Sequence, residues 1–256
     1  MAMAGKLLAN KVAIITGSTK GIGFAIAKKL ALEGATVVVS SRRQENVTTA
    51  IAELKKENLP HLGVACHVGK EEDRKNLIEQ TIKKFGKIDI LVSNVAVSPH
   101  FGLTIGITEK QIDKIFDVNV KSSFLIARDC YPYLKATKGN ITFVTSIGAY
   151  KPFVGGGWYS ISKTSLLALT RVMASELAVD GIRVNCIAPG LIKTDFSKGL
   201  TENETIRNKF LEEIPLGRLG QPDDCAGAVV FLSCDQLSSY VTGECISMTG
   251  GIQSRL

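Results

Sequence analysis

What the sequence lacks narrows its identity before any motif is read. Its 256 residues hold one tryptophan and three histidines, and His61, His67 and His100 show no ligand spacing, so no metal site is expected. The six cysteines (Cys66, Cys130, Cys186, Cys225, Cys234, Cys245) form no C-x-x-C pair. They read as small hydrophobes in a reducing compartment, not as a disulfide framework. No apolar run approaches the roughly 18 residues that a membrane-spanning helix needs. Met1–Asn10 has none of the long apolar stretch of a secretory signal. With 45% hydrophobic and 21% charged residues, the composition is that of a folded chain, neither collagen-like nor disordered. Lys and Arg outnumber Asp and Glu by 31 to 24, a net charge of +7. The basic residues are scattered in pairs such as Lys28-Lys29, Lys55-Lys56 and Lys83-Lys84, with no basic block interleaved with aromatics. No nucleic-acid partner is expected, whereas the basic bias suits an anionic small ligand.

What is present is a rhythm. Short apolar, β-branched runs at Val12–Thr16, Thr36–Ser41, Leu62–Val68, Ile88–Asn94, Ile141–Ser146, Arg183–Ala188 and Glu244–Thr249 read as strands. Helical patterns fall at Gly21–Glu33, Gln44–Glu57, Glu71–Phe85, Thr108–Leu134, Trp158–Val179 and Gln221–Ser233, with Gly34 stopping the first of them. A loop-and-helix region runs from Pro189 to Pro215. The alternation predicts βαβ units and a parallel sheet in an α/β fold. No linker or repeat interrupts it, so one domain is expected over residues 1–256.

Thr16-Gly17-Ser18-Thr19-Lys20-Gly21-Ile22-Gly23 lies between the first strand and the first helix. Glycines there let the backbone approach a pyrophosphate, which then faces the helix N-terminus. The spacing is G-x-x-x-G-x-G. An NAD site carries an acidic residue about 20 positions on, where it accepts hydrogen bonds from the adenosine ribose. This chain has Ser40-Ser41-Arg42-Arg43 instead. A carboxylate would repel a 2′-phosphate, whereas Arg42 can pair with one, and Lys20 can reach the same group. NADPH is the expected cofactor.

Tyr159 and Lys163 stand four residues apart on a helical stretch, so they share a face. Ser146 ends the strand before that helix, at the carboxyl edge where open α/β sheets place ligands. The set suits carbonyl–alcohol chemistry. A tyrosine with its ordinary pKa near 10 is a weak acid–base group at neutral pH, and a neighbouring ammonium favours its phenolate. Ser146 can hydrogen-bond the substrate oxygen where charge develops.

With these motifs in this order, nearly the whole chain resembles the short-chain dehydrogenase/reductase family. The resemblance implies a single-domain, doubly wound Rossmann fold with a seven-stranded parallel sheet. It implies a proton relay in which Tyr159 is the donor, Lys163 binds the nicotinamide ribose and lowers the tyrosine pKa, and Asn119 in Val118-Asn119-Val120 holds a water leading to solvent. It implies cofactor contacts at the glycine loop, Ile22, Asn94, Lys163, Pro189-Gly190, Ile192 and Thr194, and a homotetramer packed through the fourth and fifth helices. Two segments depart from the family pattern. Ser93-Asn94-Val95-Ala96 loses a glycine, and His67-Val68 stands where an aspartate often holds the adenine amino group; a neutral imidazole could accept that bond instead. Ser40-Ser41-Arg42, Cys66–Lys70, Ala188–Thr194 and Cys225–Gly227 resemble a carbonyl- and retinal-reducing branch of the family. The terminal Ser254-Arg255-Leu256 is a variant of the S-K-L peroxisomal address, which an import receptor reads. Peroxisomal residence is therefore expected, with the cytoplasm as the alternative.

Trp158, Phe101, Phe153 and Phe196 are candidate substrate contacts beside Ser146 and Tyr159, while Phe210 is expected to serve packing. The 189–215 segment is expected to cover the site as a lid. An apolar site suits ketones, α-dicarbonyls, quinones and retinal-like aldehydes. Two other readings stay open: a 3-oxoacyl-thioester reductase of the same family, and a non-catalytic NADP-binding scaffold.

Overall fold

Val12–Ile15 (β1) is apolar at every position because both its faces are covered: Ala13 and Ile15 join one core, Val12 and Ile14 the other. The same alternation holds in β2 (Thr36–Ser41), where Val37 and Val39 face one way and Val38 the other. The structure, a computed structural model, describes residues 6–253. Its further strands are β3 (His61–Ala65), β4 (Ile90–Ser93), β5 (Asn140–Val144), β6 (Arg183–Pro189) and β7 (Cys245–Met248). All pair in parallel, in the order β3-β2-β1-β4-β5-β6-β7. The chain therefore winds outward in both directions from β1 and β4, the doubly wound arrangement. Ligands bind outside the carboxyl ends of strands at such a reversal.

Helices α1 (Gly21–Leu32), α2 (Gln44–Lys56) and α9 (Pro222–Ser233) supply the first core through Ile26, Leu30, Leu54 and Val229. The second core is closed by α3 (Glu71–Phe85), α5 (Ser122–Thr137) and α6 (Gly157–Leu177) through Leu77, Ile126, Leu134 and Met173. Between β6 and α9 the chain forms a short 3-10 turn at Asp195–Ser197 and two helices, α7 (Lys198–Thr201) and α8 (Glu204–Glu212). None of the side chains of α8 is buried. A one-turn helix, α10 (Asp235–Ser238), precedes β7.

The single helix expected over Thr108–Leu134 is in fact three pieces. Helix α4 (Glu109–Phe116) starts at Thr108, whose side chain and Gln111 form a capping box, and runs into a π-type turn at Asp117–Lys121 before α5. A π turn inserts a residue and often marks a functional position. Here it carries Asn119, fully buried, whose Oδ1 accepts from the Val97 N–H (2.8 Å) and whose Nδ2 donates to the Val97 carbonyl (3.0 Å). Hydrophobic periodicity alone runs through such a bulge unmarked. The third strand is also shorter than the expected Leu62–Val68, because β2 ends at Ser41 opposite Ala65 and offers nothing further to pair with.

Candidate active site

The glycine loop leaves the carboxyl end of β1 and enters α1 through two left-handed residues, Gly17 (φ 61°) and Gly21 (φ 58°). A Cβ on Gly23 would stand 2.4 Å from the Gly17 carbonyl oxygen and 2.5 Å from Asn94 Nδ2, so only glycine fits. Asn94, just past β4, donates from Nδ2 to the carbonyls of Gly17 (3.0 Å) and Thr16 (3.2 Å), tying the loop to the switch point. Lys20 occupies the N-cap of α1 without capping it, so the first-turn N–H groups are left for a ligand. This cradle fits a dinucleotide pyrophosphate. The same loop, Thr19, Ile22, Ser41, Arg42 and Val68 line one end of a cavity of about 770 Å³.

Three expected cofactor contacts lie outside that cavity. Ser18 is fully buried beneath the loop; its hydroxyl donates to the Ile15 carbonyl (2.6 Å) and accepts from the Ser40 N–H (3.0 Å), stapling β1 to β2. Arg43 turns outward, 3.7 Å from Glu45. His67 accepts the Gly69 N–H on Nδ1 (3.1 Å), which leaves the proton of a neutral ring on Nε2. The free nitrogen is therefore a donor, not the acceptor expected for an adenine amino group. Val68 and Cys66 line the cavity instead, and burial pushes the Cys66 thiol up to about 12, so it serves as an apolar wall. Asn46, one turn along from Arg42, also lines this end and had no signal beyond its position.

At the other end stand the reacting groups. Ser146 follows β5, and its Oγ accepts the Gly148 N–H (3.1 Å), leaving its own hydrogen free to donate. Lys163 is buried on α6, with Nζ donating to the Val144 carbonyl (2.8 Å) while Thr145 Oγ1 donates to the Lys163 carbonyl (2.7 Å). Lys163 Nζ is 5.8 Å from the centroid of the Tyr159 ring. Burial pushes the Tyr159 phenol up to about 12, only partly opposed by the hydrogen bond to Ser146, and pushes Lys163 down to about 7. Desolvation dominates both groups, and the opposing influence on the tyrosine is the hydrogen bond to Ser146, not the lysine. Asn119 does not line the cavity. Besides gripping Val97 it donates from Nδ2 to Ser162 Oγ (3.0 Å), so its side chain positions the loop after β4 against α6.

The substrate end is aromatic. Phe196 lies tilted over Tyr159, ring centroids 5.7 Å apart, and Phe153 meets Phe210 edge to face at 6.2 Å. Phe210, expected to be plain packing, lines the cavity together with Phe101, Phe153 and Phe196. Trp158 does not; it packs edge-on against Phe116, centroids 6.1 Å apart. Phe101 rests on Gly155 and Phe153 on Gly156, where an added Cβ would come within 2.8 Å and 2.3 Å of the rings. Pro189, Gly190, Ile192 and Thr194 border the cavity, and Phe196, Leu200 and Phe210 reach it from the 189–215 segment. Ile252 closes it from the far end of the chain, a placement that nothing in its sequence neighbourhood signals.

Among the described residues no group of three or more His, Cys, Asp or Glu could hold a metal ion, and no helix is long and apolar enough to cross a membrane.

Comparison with known proteins places this geometry in context. A family model described as enoyl-(acyl carrier protein) reductase matches residues 17–253. The chain is 50% identical to dehydrogenase/reductase SDR family member 4 of Oryctolagus cuniculus over 250 residues, 97% of this chain and 96% of that one. It is 47% identical to tropinone reductase-like 3 of Erythroxylum coca over 255 residues, 99% and 97% of the two chains. Among solved structures, a provisionally assigned short-chain alcohol dehydrogenase from Sinorhizobium meliloti 1021 superposes with a TM-score of 0.90 at 32% identity, covering 97% of this chain and 98% of the other.

Proposed function

The chain belongs to the short-chain dehydrogenase/reductase family, and from that premise we propose that it is an NADPH-dependent reductase of apolar carbonyl compounds: ketones, α-dicarbonyls, quinones and retinal-like aldehydes. The observation that carries the reading is one cleft with Arg42 and Lys20 at one end and Ser146, Tyr159 and four phenylalanines at the other. The likeness to dehydrogenase/reductase SDR family member 4 supports the same branch.

NADPH supplies the hydride when bound; the remaining work belongs to the protein. The uncapped N-terminus of α1 holds the pyrophosphate, Arg42 and Lys20 the 2′-phosphate, and Asn94, Pro189, Gly190, Ile192 and Thr194 border the remaining path. Ser146 donates its hydroxyl hydrogen to the carbonyl oxygen, and Tyr159 delivers its proton to that oxygen. A phenol held up at about 12 is fully protonated at neutral pH, as a proton donor for reduction must be. Such a phenol is a weak acid until the anion it leaves is stabilised, which falls to Ser146 and to Lys163, the latter also holding the nicotinamide ribose. Asn119 acts through the loop at Val97. The aromatic walls exclude water and offer no cation to a substrate carboxylate.

Two further parts of the proposal concern assembly and address. Phe124 on α5 and Ile161 and Val172 on α6 are exposed apolar side chains, which supports a homotetramer packed through these helices. Ser254-Arg255-Leu256 lies outside the described residues; its sequence supports import into peroxisomes. A panel of an α-dicarbonyl, an aryl ketone, a quinone, retinal and a 3-oxoacyl thioester, each with NADPH, tests the activity by loss of reduced-nicotinamide absorbance. Turnover of the apolar carbonyls ahead of the thioester is expected. Preference for the thioester would move the assignment to acyl-chain reduction, and no turnover of any would leave a binding protein.

A further inference from the structure

The side chain of Lys20, a candidate ligand for phosphate, is already engaged. Its Nζ lies 2.9 Å from Asp195 Oδ2, across 175 residues of chain. The other oxygen of Asp195 is 3.1 Å from Lys198 Nζ. Lys20 and Asp195 line the same cleft as Arg42 and Asn46, and Gly21 lies against the Thr194 side chain, so the base of the lid is seated on the glycine loop. Arg42 makes no ion pair with a carboxylate among the described residues. Of the two cations assigned to the 2′-phosphate, one is therefore free and the other is held by a carboxylate of the lid.

We infer that Asp195 tunes cofactor choice: it competes with the cofactor 2′-phosphate for Lys20, and so limits the preference for NADPH over NADH while tying that preference to the lid. The inference rests on the reading of Lys20 as a 2′-phosphate ligand. One ammonium cannot serve a carboxylate and a phosphate at full strength, and the two anions repel each other across it. Lys198 keeps Asp195 paired when Lys20 turns away, so the exchange is inexpensive. NADH, which ends in a ribose hydroxyl at that position, leaves the Lys20–Asp195 pair undisturbed. Linkage makes the effect reciprocal: whatever Asp195 takes from phosphate binding, a bound phosphate takes from the contact between lid and loop.

Asp195→Asn keeps the shape of the side chain and removes its charge. The capping box of the 3-10 turn is formed by Thr194 and Ser197, so folding does not depend on the carboxylate. Dissociation constants for NADPH and NADH are measured by cofactor fluorescence on the wild type, Asp195→Asn, Lys20→Gln and the double variant. Asp195→Asn is expected to tighten NADPH by about two- to fivefold at low salt, the range of an exposed ion pair, and to leave NADH unchanged. The gain should vanish in the Lys20→Gln background and shrink as salt is raised. Equal shifts for both cofactors, weaker NADPH binding, or a gain that persists without Lys20 would overturn the inference. A wild type without preference for NADPH would overturn the phosphate reading itself, and this inference with it.

Discussion

The two ends of the cleft are built from different materials. At the cofactor end the contacts come from backbone and exposed charge: left-handed glycines, an uncapped helix, and Arg42 and Lys20 in solvent. At the reacting end they come from side chains whose protonation is set by burial, with Tyr159 pushed up and Lys163 pushed down. Residue type alone announces the first kind of site, because a guanidinium or a glycine behaves much the same wherever it is solvated. The second kind depends on what surrounds each group. The sequence placed Lys163 beside Tyr159, and from that proximity followed an expected acidified phenol. The structure instead buries both groups, and desolvation is the largest influence on each.

If the ends are separable, each can be broken without the other. The largest effect is expected from Tyr159→Phe, which removes the transferable proton and keeps the ring under Phe196. Turnover should fall by about 10²–10⁴-fold, while NADPH affinity stays at the wild-type level. Next comes the cofactor end. Replacing Ser41 with Asp and Arg42 with Ser exchanges a phosphate site for a ribose-hydroxyl site. Loss of one charge-assisted bond should weaken NADPH by about ten- to hundredfold and turn the preference toward NADH, as parallel titrations would show.

The burial of Lys163 makes its own prediction, read in stability. Its folded pKa of about 7 lies below its ordinary value of 10.5. Between those values the unfolded chain binds more protons, so stability without cofactor should rise with pH from about 7. The buried thiols, pushed up from 9.0, act in the opposite direction above that value, because the unfolded chain then holds fewer protons. The rise should therefore be seen between about pH 7 and pH 9 in thermal melts, and Lys163→Met should flatten it. The smallest change is Gly156→Ala. Its Cβ would press on the Phe153 ring, so KM for an apolar ketone should rise modestly with NADPH affinity unchanged.

Much of this architecture was legible in the residues. The continuous apolar runs gave the parallel strands, and Glu71–Phe85 was found with both its boundaries. The expected contacts that fall outside the cavity share a cause. Ser18, Arg43, His67 and Trp158 each adjoin a true lining residue, and adjacency along a loop says nothing about which way a side chain turns. Ser18 is spent on two backbone groups beneath the loop, and Trp158 packs on Phe116. The π turn at Asn119 escaped because its apolar spacing passes for an ordinary helix. Ile252 and Asn46 escaped because only the tertiary fold brings them to the cleft.

The most direct measurement compares steady-state reduction of one α-dicarbonyl by the wild type, Tyr159→Phe and the Ser41→Asp/Arg42→Ser variant, each with NADPH and with NADH. The cofactor variant should reach a kcat with NADH close to that of the wild type with NADPH. Tyr159→Phe should be nearly inactive with either. A tyrosine variant that kept more than about a tenth of wild-type kcat, roughly 1.4 kcal/mol of barrier, would contradict the proton-donor role. A cofactor variant inactive with both would contradict the separation of the two ends.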